Sequence, residues 1–140
     1  MTEAPDARLE VFFYGLFMDE SLLRGKGLNP SERRVARVDN FRLAIGERAT
    51  LVPSDGATAY GVLFTLTRRE VDALYSEDSV KAYRPETVSA RTDDGEVVRA
   101  LCFNLPAPAR ADERNPQYAS KLRELAARTG LPPEYVSSIR

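Results

Sequence analysis

The order of strand-like and helix-like segments constrains the fold of this chain more than any other sequence feature. Apolar runs with β-branched and aromatic residues come first along the chain, at residues 9–14, 34–52, 58–66 and 84–104. The clearest helical spacing comes last, at residues 116–129. Strands and helices do not alternate regularly, which argues against a doubly wound sheet. The order predicts an α+β fold, a closed or half-closed sheet flanked by short helices.

Several local signals mark where the strands bend or turn. Asn40 and Gly46 are possible bends in the second run, and residues 53–56, with the sequence PSDG, predict a turn before the third. Asp94-Gly95 is the strongest short hairpin signal in the chain. We expect one domain over residues 1–140, with flexible segments at residues 1–8 and 106–114.

Two short helices are predicted between the strands. Asp19 is a plausible cap of the first, with Leu22 and Leu23 facing inward and Gly25 just past its end. Residues 67–70, Thr-Arg-Arg-Glu, have the form of a capping box and start the second.

Composition excludes several classes of function. The chain has 20 basic and 21 acidic residues, so no large basic field is available for nucleic acid. It contains no histidine, which removes Ser/His and Cys/His nucleophile pairs and histidine metal sites. Cys102 is the only cysteine and is expected to be a small core residue, which leaves no disulfide framework and no multi-cysteine metal site. No apolar run approaches the ~20 residues that span a bilayer, so we expect a cytoplasmic protein without a membrane partner.

Two positions can carry chemistry. The first buried strand ends at Tyr14-Gly15, where backbone N–H groups at the sheet end can hold a carboxylate or an oxyanion. Glu77 follows the second short helix and is a candidate proton acceptor and donor. Asp78 and Glu86 are rivals for the same role. Each signal has a plain structural alternative, a simple turn at Gly15 and an exposed acidic loop at Glu77.

The order of these pieces resembles the γ-glutamylcyclotransferase-like (AIG2-like) family. Tyr14-Gly15-Leu16-Phe17 is similar to the loop that follows the first strand in that family, and the segment ATLVPSDGATAYGVLFTLTRREVDALYSED is similar to its central strand, helix and glutamate. YRPETV resembles the next strand, and NPQYASKLRELAARTGLPPEYVSSI the C-terminal helical segment. The chain departs from the family at Leu16 and Phe17, where many members carry a small hydroxyl residue and then leucine.

The resemblance implies a small mixed β-barrel and an enzyme without a cofactor. In that family the loop N–H groups hold the α-carboxylate of a γ-glutamyl substrate, whose own α-amine attacks its γ-carbonyl and forms 5-oxoproline. Carried over, this assigns acid/base catalysis to Glu77 and substrate binding to residues 14–17, with Tyr83 as a further contact. Arg48, which lies in a small and apolar stretch after Gly46, is the first candidate to pair with a substrate carboxylate. Arg42 and Arg84 are weaker candidates for a substrate carboxylate.

Other functions stay open at this point. The same fold can serve as a non-catalytic module that binds a small molecule or a partner protein, or it can support another lyase or amide-cleaving activity. The expected partner is a small molecule with a γ-glutamyl-like group, and the chain is expected to be a monomer or a homodimer.

Overall fold

Five strands form a closed barrel in the computed structural model, which describes residues 6–107 and 113–140. The strands are β1 Arg8–Phe13, β2 Ser31–Ile45, β3 Ala49–Thr67, β4 Arg84–Thr92 and β5 Val97–Asn104. Their order around the barrel is β1-β3-β2-β4-β5, and a parallel pairing between β1 and β5 closes it, whereas the other neighbours are antiparallel. The predicted α+β fold with a mixed barrel is confirmed. Of the segments predicted to be flexible, residues 1–5 and 108–112 lie outside the described residues.

Short helices flank the barrel, as the sequence predicts. They are α1 Glu20–Gly25, α2 Arg68–Leu74, α3 Pro116–Thr129 and α4 Pro133–Ser138. The capping box of α2 is present, because the Thr67 hydroxyl accepts from the Glu70 N–H while the Glu70 carboxylate accepts from the Thr67 N–H. The side chain of Asn115 caps α3, which Gly130 ends in the left-handed conformation, at φ 95°.

The predicted turn at residues 53–56 is wrong, because β3 continues through these residues. The register between β2 and β3 shifts between Asp39 and Phe41, so the extra residues of β3 are absorbed as an irregularity in the ladder. Asn40 (φ 68°) and Gly56 (φ 82°) both adopt left-handed conformations there, and the Gly56 N–H donates to the Asn40 side chain over 3.1 Å. The turn residues therefore bend two long paired strands instead of ending one.

Helix α1 differs in detail from its prediction. Leu23 is fully buried but Leu22 is 38% exposed, and Gly25 is the last helical residue rather than the residue after it. Consecutive residues of a helix point about 100° apart, and in α1 only Leu23 of the two leucines faces the core. Asp19 caps α1 as predicted, since its carboxylate accepts from the N–H groups of Ser21 and Leu22.

The core fills the barrel and extends under the helices. Phe12 from β1 and Phe64 from β3 are among its largest fully buried side chains. Leu122 of α3 is also fully buried, and α3 packs on β2 and on the short 3-10 turn at Leu16–Met18. This packing brings α3 next to the loop that follows β1.

Candidate active site

The loop after β1 presents backbone N–H groups at one end of the barrel. A 3-10 turn over Leu16–Met18 follows the Tyr14-Gly15 break. The hydrogen bonds of this turn use the N–H groups of Met18 and Asp19, which donate to the carbonyls of Gly15 and Leu16. The N–H groups of residues 15–17 take no part in the turn; that of Leu16 contacts the Tyr118 hydroxyl, and those of Gly15 and Phe17 are left for other acceptors. The first N–H groups of α1 are already taken by Asp19, so the turn, not the helix, supplies the free donors.

A cavity of about 420 Å³ opens beside this loop. Residues 14–17 line it together with Arg48, Glu77 and Tyr83, which are the first-ranked candidates of the sequence analysis. These residues come from β1 and its loop, from the start of β3 and from the segment between α2 and β4. Their roles stay predictions, but they share one cavity.

Glu77 is held at the cavity by a lysine. It lies just after α2, in a turn in which its carbonyl accepts from the Val80 N–H over 3.0 Å. The Lys26 ammonium is 2.9 Å from one Glu77 carboxylate oxygen and 3.0 Å from the other. It also lies 5.9 Å from the centroid of the Phe17 ring. Sequence reasoning missed Lys26, which is 51 residues from Glu77 along the chain and belongs to no motif.

The two rival carboxylates lie elsewhere. The Asp78 side chain is 95% exposed and is paired with Lys81 at 3.2 Å. Glu86 lies on β4, where it accepts a hydrogen bond of 2.8 Å from the Asn104 amide. It lines a different pocket, which also contains Arg42 and Arg84. The geometry favours Glu77 as the site carboxylate and Arg48 as the site guanidinium.

The hydroxyls of two site tyrosines bind backbone carbonyls. Tyr14 donates to the carbonyl of Phe103 over 2.6 Å, and Tyr83 donates to the carbonyl of Ala49. Burial raises the pKa of Tyr14 far above its usual value and raises that of Tyr83 to about 12, although the nearby Arg48 charge opposes the shift at Tyr83. Both side chains are therefore neutral donors near pH 7, with hydroxyls that fix the wall of the cavity.

Two further tyrosines, which sequence reasoning did not assign to the site, line the cavity. Tyr118 comes from α3, and burial raises its pKa while a hydrogen bond from the Leu16 backbone opposes the shift. Its hydroxyl thus lies at the N–H groups of the loop. Tyr75 follows α2 and stacks on Phe103 with ring centroids 3.8 Å apart. The sequence places both residues on inner helix faces, where core packing is the usual role.

The cavity also holds Arg48, a basic side chain without an acidic partner in the described part of the chain. Among the described residues no carboxylate forms an ion pair with Arg48, which is half-buried at the start of β3. Its neighbour Glu47 lines the cavity too. The charged groups of the cavity are therefore Lys26 with Glu77 on one side and Glu47 with Arg48 from a single segment. An anionic ligand finds an available guanidinium here.

Metal ligands and a reactive thiol are the other possible centres of reactivity in the part of the chain that the structure describes. Within it, no group of three or more Cys, Asp or Glu side chains is arranged to hold a metal ion. Cys102 is fully buried, and burial raises its pKa to about 12, so its thiol is neutral and inert at pH 7. No helix among the described residues is long and apolar enough to cross a membrane.

Solved structures share this fold. A gamma-glutamyl cyclotransferase superposes with a TM-score of 0.80 at 22% identity, covering 96% of this chain and 89% of that one. An uncharacterized protein from Homo sapiens gives 0.77 at 23% identity, covering 95% and 88%. YkqA from Bacillus subtilis gives 0.75 at 22% identity, covering 93% of this chain but only 52% of YkqA.

The sequence itself matches a protein family. No curated protein matches it significantly. The family described as gamma-glutamyl cyclotransferase, AIG2-like, matches residues 11–122, which include the second half of β1, the loop after it, Glu77 and the first half of α3. The chain therefore belongs to the gamma-glutamyl cyclotransferase, AIG2-like family.

Proposed function

We propose that the protein is a cyclotransferase that converts a γ-glutamyl amine or peptide into 5-oxoproline and a free amine or amino acid. One observation carries the proposal, namely that Glu77 and residues 15–17 line the same cavity. The loop supplies N–H groups for a carboxylate, and Glu77 supplies a group that can move protons. Membership of the family and the fold of the cyclotransferase above support the same activity.

The loop binds the α-carboxylate of the substrate in this proposal. The backbone N–H groups of Gly15 and Phe17 donate to it, beside the Leu16 N–H that contacts the Tyr118 hydroxyl, and Arg48 supplies the nearby positive charge. Leu16 and Phe17 place apolar side chains at this loop, which does not impair binding by backbone donors. The aromatic walls, including Tyr14 and Tyr83, partly shield the reacting atoms from water.

The reaction then needs only proton transfer from the protein. The α-nitrogen attacks the γ-carbonyl carbon of the same molecule, and this intramolecular attack gains its advantage from proximity. A C–N bond forms, Glu77 accepts the proton that the attacking nitrogen loses, and the same carboxyl returns it to the leaving nitrogen as the second C–N bond breaks. Neither a protein nucleophile nor a redox partner takes part in these steps.

Replacing Glu77 tests the chemical step. Purified protein is screened against γ-glutamyl amines and dipeptides for release of 5-oxoproline. Glu77→Gln keeps the shape of the side chain and removes proton transfer, so turnover should fall by about 10²–10⁴-fold while affinity, measured by calorimetry, persists. Asp78→Asn is the matched control, because Asp78 is adjacent in sequence but exposed, and it should keep the wild-type rate. A Glu77→Gln protein that turns over at the wild-type rate would contradict the assignment.

Replacing Gly15 tests the binding step. A Cβ at Gly15 would lie 2.7 Å from the Tyr118 hydroxyl, so Gly15→Val crowds the loop at the position of the bound carboxylate. Affinity should fall, whereas Glu77→Gln should mainly lower the rate.

The alternative is a binding module without turnover, which the apolar Leu16 and Phe17 side chains favour. It predicts no 5-oxoproline from the wild type with any compound of the panel, and the same ligand affinity in Glu77→Gln. Release of 5-oxoproline by the wild type therefore distinguishes the two functions.

A further inference from the structure

Lys26 forms an ion pair with Glu77, the carboxylate that transfers protons in the proposed function. The Lys26 ammonium contacts both oxygens of Glu77, at 2.9 and 3.0 Å, and both side chains line the cavity. The exposed fractions of the two side chains are 29% and 36%, so the pair is partly shielded from water. It joins the C-terminal end of α1 to the segment after α2 across the cavity. The positive charge of Lys26 therefore lies where the α-amine of a substrate has to meet Glu77.

This position has a chemical consequence for that amine. Cyclisation requires an α-nitrogen with a free lone pair, but α-amino groups are protonated in solution at pH 7. A carboxylate that met the ammonium alone would form an ion pair with it and favour the unreactive protonated form. With Lys26 already on both oxygens, the incoming ammonium finds a neutralised carboxylate and a like charge beside it. The α-amine is the weaker base of the two amines, so it is the one that loses its proton.

We propose that Lys26 makes the substrate react with its α-amine in the neutral form, by occupying Glu77 and repelling a second ammonium. The inference rests on the proposed function and deepens it. The neutral nitrogen forms the new C–N bond, Glu77 carries one proton from that nitrogen to the leaving nitrogen, and Lys26 keeps its charge throughout. Lys26 is thus a positioning residue that acts on the protonation of the substrate through electrostatics.

The other ionisable groups around this pair are two charged residues of one segment, four tyrosines and Asp78. Glu47 and Arg48 line the cavity from one segment and carry opposite charges. Burial raises the pKa of each tyrosine in the cavity wall, so these side chains are neutral at pH 7; they are Tyr14, Tyr75, Tyr83 and Tyr118. Asp78, next to Glu77, is exposed and paired with Lys81. The aromatic ring of Phe17 faces the Lys26 ammonium and tolerates its charge.

The pH dependence of turnover tests the proposal. Lys26→Met removes the charge, so the acidic limb of the kcat profile should move up by about one pH unit, and the rate below it should fall about tenfold. Lys26→Arg keeps the charge and should keep the wild-type profile. Lys81→Met is the matched control, since it removes a lysine from an exposed ion pair on the same segment outside the cavity, and it should also keep the profile.

Proton release on binding gives a second readout that does not need turnover. L-Glutamine contains the complete γ-glutamyl group, and glutaramate is the same molecule without the α-amine. Calorimetry at pH 7 in two buffers of different ionisation enthalpy should show about one proton released per L-glutamine bound by the wild type and none with glutaramate. Lys26→Met should release clearly less with L-glutamine.

The possible outcomes separate this inference from the proposed function. A wild type that neither binds L-glutamine nor releases 5-oxoproline from any compound contradicts the proposed function, and this inference with it. A wild type that is active, with the same pH profile and proton release in Lys26→Met, overturns only the role of Lys26. If circular dichroism shows that Lys26→Met is unfolded, the test rests on Lys26→Arg. A folded Lys26→Arg protein with a shifted pH profile also overturns the role of Lys26.

Discussion

A methyl group added at Gly61 should damage both the barrel and the site. Gly61 lies on β3, and a Cβ there would be 2.1 Å from the carbonyl oxygen of Phe13 and 2.9 Å from the Phe12 ring. Phe13 is the last residue of β1, so the clash is with backbone that leads directly into the Tyr14-Gly15 loop. Ordinary contact needs more than 1 Å of additional separation, which a flexible side chain could provide but a strand paired on both edges cannot.

The cost can be placed on a scale. Overpacking a well-packed core typically costs about 1–3 kcal/mol, and a backbone clash belongs at or above the upper end. Replacing glycine also lowers the conformational entropy of the unfolded chain, which stabilises the folded state by about 0.4–1 kcal/mol. We therefore expect Gly61→Ala to lower the free energy of unfolding by about 2–3 kcal/mol, a large part of the stability of an ordinary domain.

Gly25→Ala is the matched control for this substitution. Gly25 is the last residue of α1, and a Cβ there meets nothing within 4 Å, so the variant should be as stable as the wild type or slightly more stable. Urea unfolding followed by circular dichroism measures both variants, since the chain has no tryptophan. A midpoint for Gly61→Ala equal to that of the wild type would refute the reasoning. The folded fraction of Gly61→Ala should also bind ligand more weakly, because Phe13 carries the loop.

Two further predictions concern ionisable side chains. Cys102→Ser should cost about 1 kcal/mol of stability and leave any turnover unchanged, because Cys102 is fully buried among core residues and does not line the cavity; loss of turnover in a folded variant would contradict this. Burial raises the pKa of Tyr83 and of Tyr135 from 10.0 to about 12, so their protonated forms stabilise the fold fully below pH 10 and this contribution is lost as the pH rises from 10 to 12. The urea midpoint should therefore fall steadily above about pH 10, and an unchanged midpoint up to about pH 12 would exclude the effect.

The sequence predicts the elements of the fold well because its signals are local. The strand runs at residues 9–14 and 84–104, the capping box at Thr67 and the helix from Pro116 all appear where residue types alone place them. The errors arise where tertiary contacts override local preference. The PSDG segment would turn in isolation, but β2 pairs with Pro53 before the bend and with Thr58 after it, so the segment stays within β3 and bends at Gly56.

The site is only partly predictable from the sequence, and the missing residues share one cause. Glu77 and the residues after β1 belong to local motifs, so they can be proposed from sequence. Lys26 meets Glu77 across 51 residues, and Tyr118 reaches the loop from the C-terminal helix. Such contacts depend on how the barrel closes and how α3 packs on it. Neither side chain carries a local signal that separates a site residue from a surface lysine or a core tyrosine.

Two tyrosine hydroxyls in the cavity are already bonded to backbone carbonyls, which limits the groups that can recognise a ligand. The hydroxyls of Tyr14 and Tyr83 already donate to the carbonyls of Phe103 and Ala49. A ligand that took a hydrogen bond from either hydroxyl would leave a buried carbonyl without a donor. The groups that remain for polar recognition include the N–H groups of the loop and the side chains of Arg48 and Glu77. The first two favour a carboxylate, and the third, held by Lys26, favours an amine that can give up its proton. An α-amino acid head group offers both within one small molecule, so the polar groups of the cavity are compatible with the substrate class of the proposed function.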